Sequence, residues 1–209
     1  MTKIRRKSTE RNDNHQLAEK GNVKRIEELL IQSPELVNVT DDRGLAMIHL
    51  AVKEGYEGLV KMLIEHGADV NIGDNLGWTP LFIASLDGSS VMVRLLLDSG
   101  AEVNLLSEEG DTPLLLATEY EHADVVEILL QSGASADMGN HNGDTPTHLA
   151  AICLEEDCFE LLRKYGADLD KKNNAGLSPR DMRHVMKMFR EKYRIESAKD
   201  GFLTYTPPQ

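Results

Sequence analysis

The chain has 209 residues, 41% hydrophobic but only 5% aromatic, with a formal net charge of −12. It holds enough Leu, Val, Ile and Ala for a packed core, yet no apolar run approaches the ~18–20 residues that span a bilayer. Its two cysteines, without an apolar secretory segment in "MTKIRRKSTERNDN", exclude a disulfide framework and make a reducing interior compartment the expectation. The charge is uneven. Residues 1–25 carry eight Lys/Arg against three acids and 174–209 carry seven against four, which leaves 8 bases against 28 acids between them. No Lys or Arg occurs between Arg94 and Arg163. A surface this acidic repels phosphate backbones, which excludes direct nucleic-acid binding, and favours basic partners.

In chain order, residues 1–13 read as a basic tail expected to be disordered. Its "RRKS" sets Arg5 and Arg6 before Ser8, a pattern that basophilic kinases use, so Ser8 is a candidate modification site. Next, "HQLAEKGNVKRIEELLIQSPELVN" reads as a helix pair with one extra residue around Ser33-Pro34-Glu35. It suits an N-terminal cap with a polar outer face, which a repeat stack needs for solubility. A repeat follows. Glycines fall at 44, 77, 110, 143 and 176, and a second series at 67, 100, 133 and 166, both in steps of 33. Between them recur "GWTPLFIA", "GDTPLLLA" and "GDTPTHLA", with the degraded "GLAMIHLA" and "GLSPRDM"; after the second series come "GADVN", "GAEVN", "GASAD" and "GADLD".

Each repeat predicts the same local structure. Thr79, Thr112, Thr145 and Ser178 precede Pro, which suits a hydroxyl N-cap followed by a residue whose missing N–H costs nothing. A short helix ends near small Ala residues, and a second helix carries a dense apolar stripe. Leu59, Val60, Leu63 and Ile64 form it in one copy, Met92, Val93, Leu96 and Leu97 in the next, and Val125, Val126, Leu129 and Leu130 in the third. The glycines at 67, 100, 133 and 166 stop these helices. The segments "DDRG", "DNLG", "SEEG", "NHNG" and "NNAG" read as turns between repeats. After Pro179 a longer helix is expected, with Met182, Val185, Met186, Phe189 and Tyr193 on its inner face and Arg183 and Lys187 elsewhere, covering the last repeat.

At these residues the chain resembles the ankyrin-repeat family. The resemblance rests on the period of 33, the Thr-Pro-Leu-His-like motif and the following Gly-Ala-Asp-Val-Asn, and covers roughly 15–195. It implies an all-α solenoid of stacked helix–turn–helix units with β-hairpin-like fingers. The array then runs from 14 to 195: a cap repeat 14–41, repeats 42–74, 75–107, 108–140 and 141–173, and a partial capping repeat with helix at 174–195, with 196–209 a flexible tail. The family's motif histidine survives as His49 and His148 and is replaced by Phe82 and Leu115. In the family it braces backbone between repeats, so packing is expected to replace it in the middle copies.

The densest chemistry lies in "GDTPTHLAAICLEEDCFELL", with His148, Cys153, Cys158 and the acids 155–157. In register, His148 is the motif histidine, Cys158 falls on the buried stripe as a small hydrophobe, and the acids sit at a helix start. Five residues turn a helix by about 140°, so His148 and Cys153 point apart, whereas zinc needs converging ligands. A metal or redox protein using these three residues is the alternative of another class. Otherwise no metal, cofactor or catalytic constellation is expected, and His66 and His122 read as surface residues.

Function then falls to a non-catalytic scaffold or adaptor, monomeric, in the cytosol and also the nucleus. The alternative is a regulatory or inhibitory subunit of an enzyme such as a kinase or phosphatase. The resemblance implies contact positions at finger tips and first-helix ends. On the fingers these are Arg43 and Leu45, Leu76 and Trp78, Glu108, Glu109 and Asp111, and His141 and Asp144. At the helix ends they are Leu86, Asp87, Glu119, Tyr120, Ile152 and Cys153. Apolar anchors within an acidic rim suit a basic-hydrophobic partner segment on a concave face. The resemblance also marks Asn71 and Asn104 as asparagines of the kind a hydroxylase modifies.

Overall fold

A computed structural model describes residues 14–153, 156–193, 195–197 and 203–205. Ser8 and the rest of the tail 1–13 lie outside the described residues, as does most of 196–209. The helices come in pairs: α1 (14–19) with α2 (Val23–Gln32), α3 (Met47–Lys53) with α4 (Glu57–Glu65), and α5 (Pro80–Leu86) with α6 (Ser90–Asp98). Next come α7 (Pro113–Glu119) with α8 (Ala123–Gln131) and α9 (Pro146–Cys153) with α10 (Glu156–Lys164), before the longer α11 (Pro179–Tyr193). A 3₁₀ turn at Pro34–Leu36 takes up the extra residue of the cap. Beyond α11, β1 (Ile195–Ser197) and β2 (Leu203–Tyr205) pair antiparallel, Ile195 opposite Tyr205.

The helices stack in two layers. In one, α3, α5, α7, α9 and α11 lie side by side; in the other α8 touches both α6 and α10, and α2 lies against α4. The stripe is the reason. Leu59, Val60 and Leu63, Met92, Val93 and Leu96, and Val125, Val126 and Leu129 are each at most 1% exposed. Cys158, Phe159 and Leu162 continue it in α10, so Cys158 fills the core. On the first helices Ala51, Ala84, Ala117 and Ala150 are buried, and their lack of bulk lets neighbours approach. Gly100 shows how α6 stops. At φ 91° its N–H reaches the carbonyl of Leu97, while Ala101 N–H reaches that of Leu96.

Three local expectations need correction. Of the hydroxyls before Pro, Thr112 caps its helix, accepting from Leu115 N at 3.1 Å, but Thr79 makes no cap bond. Thr145 turns its hydroxyl to His148 Nδ1 (2.8 Å), while Ser178 caps as expected, its Oγ accepting from Asp181 N at 3.2 Å and donating to Asp181 Oδ2 at 2.7 Å. In α5, Phe82 stands where His148 stands in α9, so Thr79 has no such imidazole to meet. The second correction is α11. Met182 and Met186 are partly buried, but Val185 and Phe189 are exposed together with Met188, and it is Arg183 that turns inward. Its side chain is only 12% exposed, its guanidinium lies 3.8 Å over the Phe159 ring, and it pairs with Glu156. The third is His122, which is half-buried and donates from Nε2 to the Leu86 carbonyl at 2.8 Å, bridging two repeats.

Candidate functional site

Each finger is organised by one short polar side chain at its base. Asp41 Oδ1 accepts from the N–H groups of Arg43 and Leu45, and Asp74 Oδ1 from those of Leu76 and Trp78 (2.8 and 2.9 Å). Asn140 does the same for Asn142 and Asp144, and Asn173 for Ala175 and Leu177; Ser107 Oγ accepts from Asp111 N. These side chains replace turn bonds the backbone cannot make itself. Burial pushes the Asp41 carboxyl up, but the donors of Leu45 and Arg43 outweigh it and hold the pKa below the ordinary value. Fingers are also bonded to one another, Asn75 N to Arg43 O (3.0 Å), Glu108 N to Leu76 O (2.9 Å) and Asn174 N to Asn142 O (3.0 Å). Among the described residues no such backbone bond joins Glu109 to His141. There the His141 ring lies over Gly110, where an added Cβ would sit 2.5 Å from its Cδ2.

On this frame Arg43 is an exposed tip paired with Asp41 at 3.0 Å, and Leu45 is half-buried. Leu76 is 53% exposed on the second finger, while Trp78 is half-buried and stacked on Phe82, ring centroids 6.2 Å apart. Glu108, Glu109 and His141 are exposed; Asp111 and Asp144 are half-buried, Asp144 accepting from Asn173 Nδ2 at 2.6 Å. At the first-helix ends Tyr120 is 54% exposed, Ile152, Cys153, Asp87 and Glu119 are exposed, and Leu86 is half-buried. The apolar positions thus lie on two kinds of element, Leu76 and Trp78 on a finger and Tyr120 and Ile152 at helix ends.

Two carboxylates of these elements have their pKa shifted upward. Burial pushes Asp87 above the ordinary value, with Lys53 and His122 pulling back and Glu54 adding to the rise. Burial likewise raises Asp111, opposed by a bond from Asn140 and abetted by Glu109. A cation arriving beside either would favour its charged form.

The motif histidines are braces. His49 Nδ1 accepts from Ala46 N (2.9 Å) and its Nε2 donates to the Trp78 carbonyl (3.1 Å). His148 repeats this with Thr145 N and the Leu177 carbonyl, both at 3.1 Å. Both ring nitrogens of His148 are therefore committed, Cys158 is buried and Cys153 is exposed, and these three do not converge. Among the described residues no group of three or more His, Cys, Asp or Glu is placed to hold a metal. Asn71 and Asn104 are braces too. Asn71 Oδ1 accepts from Glu102 N and its Nδ2 donates to Gly100 O, and Asn104 treats Ser135 and Gly133 alike. Asn38 makes the same pair of bonds to Asp69 and Gly67.

Helix pairs, fingers and braces thus recur in register, and the sequence follows suit: a family model described as ankyrin repeats (3 copies) matches residues 15–107 and 92–173. The chain belongs to the ankyrin-repeat family. No curated protein matches it. Ankyrin repeats are generally protein–protein interaction modules, and no helix among the described residues is long and apolar enough to cross a membrane.

Several structural residues of this ankyrin array escaped the sequence reading. His15, in the cap repeat, donates from Nε2 to the Leu45 carbonyl at 2.8 Å, the same inter-repeat brace as His49. The step from 15 to 49 is 34 rather than 33, which hid it. The finger bases at 41, 74, 107, 140 and 173 do keep the period, but as Asp, Asp, Ser, Asn and Asn. Their shared signal is an acceptor oxygen on a short side chain, not a residue type.

Proposed function

We propose that this ankyrin array is a non-catalytic scaffold or adaptor in the cytosol, where it docks a partner segment mixing Leu or Phe with Lys or Arg. The docking surface is the acidic row of fingers and first-helix ends, the side that is concave in the family. One observation carries the reading. Between residues 95 and 162, where no Lys or Arg exists, Glu108 and Glu109 on the finger and Glu119 and the ring of Tyr120 at the helix end of the same repeat are all exposed. Aromatic anchors commonly dominate interface energy, and a charged rim steers encounter and selects the sign of the partner. The half-buried Asp111 supports the same sign, since a partner cation offsets its lost hydration.

The test is binding of the full chain to a fluorescent peptide alternating Leu/Phe with Lys/Arg, beside a control with Glu in place of the basic residues. Tyr120→Ala and Leu76→Ala should each weaken the basic peptide about tenfold, about 1.4 kcal/mol, with helical content and melting cooperativity unchanged. Both side chains are over half exposed, so a loss of folding in both would show them to be structural and remove the assignment. Equal affinity for the acidic control would remove the proposed partner chemistry.

A further inference from the structure

We infer that the acidic fingers have an occupant in the same chain: the basic segment Lys3–Arg11 folds back across them and competes with the partner. The inference rests on the docking reading above, because it uses the same face and the same chemistry. Lys3, Arg5, Arg6, Lys7 and Arg11 surround the apolar Ile4, against the single acid Glu10 within that span. This is the composition the fingers suit.

The segment lies outside the described residues, but its point of departure is fixed. Asn14 and His15, the first residues of α1, are buried, and His15 is bonded to the Leu45 carbonyl at the base of the first finger. The arm therefore leaves beside the finger row. Thirteen residues, extended at about 3.3 Å each, reach about 40 Å. Stacked helices sit about 8–10 Å apart, so the third finger lies about 20 Å from the first. Glu108, Glu109 and Asp111 are within reach. The first finger offers less, since Asp41 already holds Arg43. Tethering supplies an effective concentration in the millimolar range, so even a weak contact would be populated. Since it is a contact between exposed charges, it loosens as salt shortens the screening length from about 30 Å at 0.01 M to about 8 Å at 0.15 M.

The experiment compares the full chain with its Arg5→Glu/Arg6→Glu/Lys7→Glu variant by backbone amide NMR at low salt, alongside affinity for the Leu/Phe–Lys/Arg peptide. The expected result is shifts at Glu108, Glu109, Asp111 and neighbouring finger amides, unchanged on tenfold dilution, with peptide affinity raised three- to tenfold in the variant. Added salt at 0.15 M should shrink both differences. Unmoved finger amides with unchanged peptide affinity overturn the arm and leave the docking reading standing. Shifts that vanish on dilution overturn it in favour of a second copy's arm as occupant. Finger shifts in a chain that does not bind the peptide would keep the arm contact and remove the docking reading.

Discussion

Glu121 is, among the described residues, the one non-glycine with a left-handed backbone (φ 61°), at the turn where earlier repeats have Gly21, Gly55 and Gly88. A side chain there costs about 1–2 kcal/mol, part of which glycine returns through greater freedom in the unfolded chain. Glu121→Gly should therefore stabilise the protein by about 0.5–1 kcal/mol in urea denaturation; a loss of stability would mean the Glu side chain does structural duty at the turn. His49 supplies a pH dependence of known sign. Burial holds its pKa below the ordinary value, against the pull of the Trp78 carbonyl and Asp74, and its Nδ1 must stay bare to accept from Ala46. A depressed pKa contributes stability that is whole above about 6.5 and is lost as pH falls from there through the folded value. The wild type should lose urea stability across that window. His49→Leu should be weaker at pH 7 by about 1–3 kcal/mol, yet show a shallower loss below pH 6.5. An unchanged slope would assign the acid sensitivity to other groups.

At the scale of the helix, the two Thr-Pro starts offer a matched pair. Thr112→Ala should cost about 1 kcal/mol of stability, because it removes the bond from Leu115 N, whereas Thr79→Ala should cost clearly less; equal losses in thermal melts would show the hydroxyls to act through packing alone. What could be read from sequence follows the same divide between local and distant causes. The stripe of Leu59, Met92, Val125 and Cys158 was legible, because spacing by three and four within a helix and by 33 between helices leaves one buried face. The inner face of α11 was not. Its apolar residues pointed to one face, but Arg183 was turned inward by the ring of Phe159 and the carboxylate of Glu156, which reach it only once α10 has packed. Likewise the exposure of Leu76 on a finger and of Tyr120 at a helix end followed from register.

Across the whole molecule, 28 acids against 8 bases between residues 26 and 173 act on folding and on association in opposite senses. Self-repulsion opposes the compact state. Raising salt from about 0.01 to 0.15 M shortens screening from about 30 Å to about 8 Å, roughly one repeat spacing, and should raise the melting temperature. The same change should slow capture of a basic peptide. Melting and stopped-flow mixing on one salt series check both, and parallel trends would mean that charge governs neither. The joints of the array, meanwhile, are not alike. Three finger-to-finger joints carry a backbone hydrogen bond, whereas the third and fourth fingers meet through side chains, the His141 ring on Gly110 and a bond between Asn140 and Asp111. Side-chain torsions can follow a displacement that a backbone hydrogen bond would resist. The joint beside Glu108 and Glu109 is thus the one, among the described fingers, whose spacing is set by side chains rather than by backbone, so that a substitution at His141 or Asn140 would retune the spacing of the acidic row without touching a carboxylate.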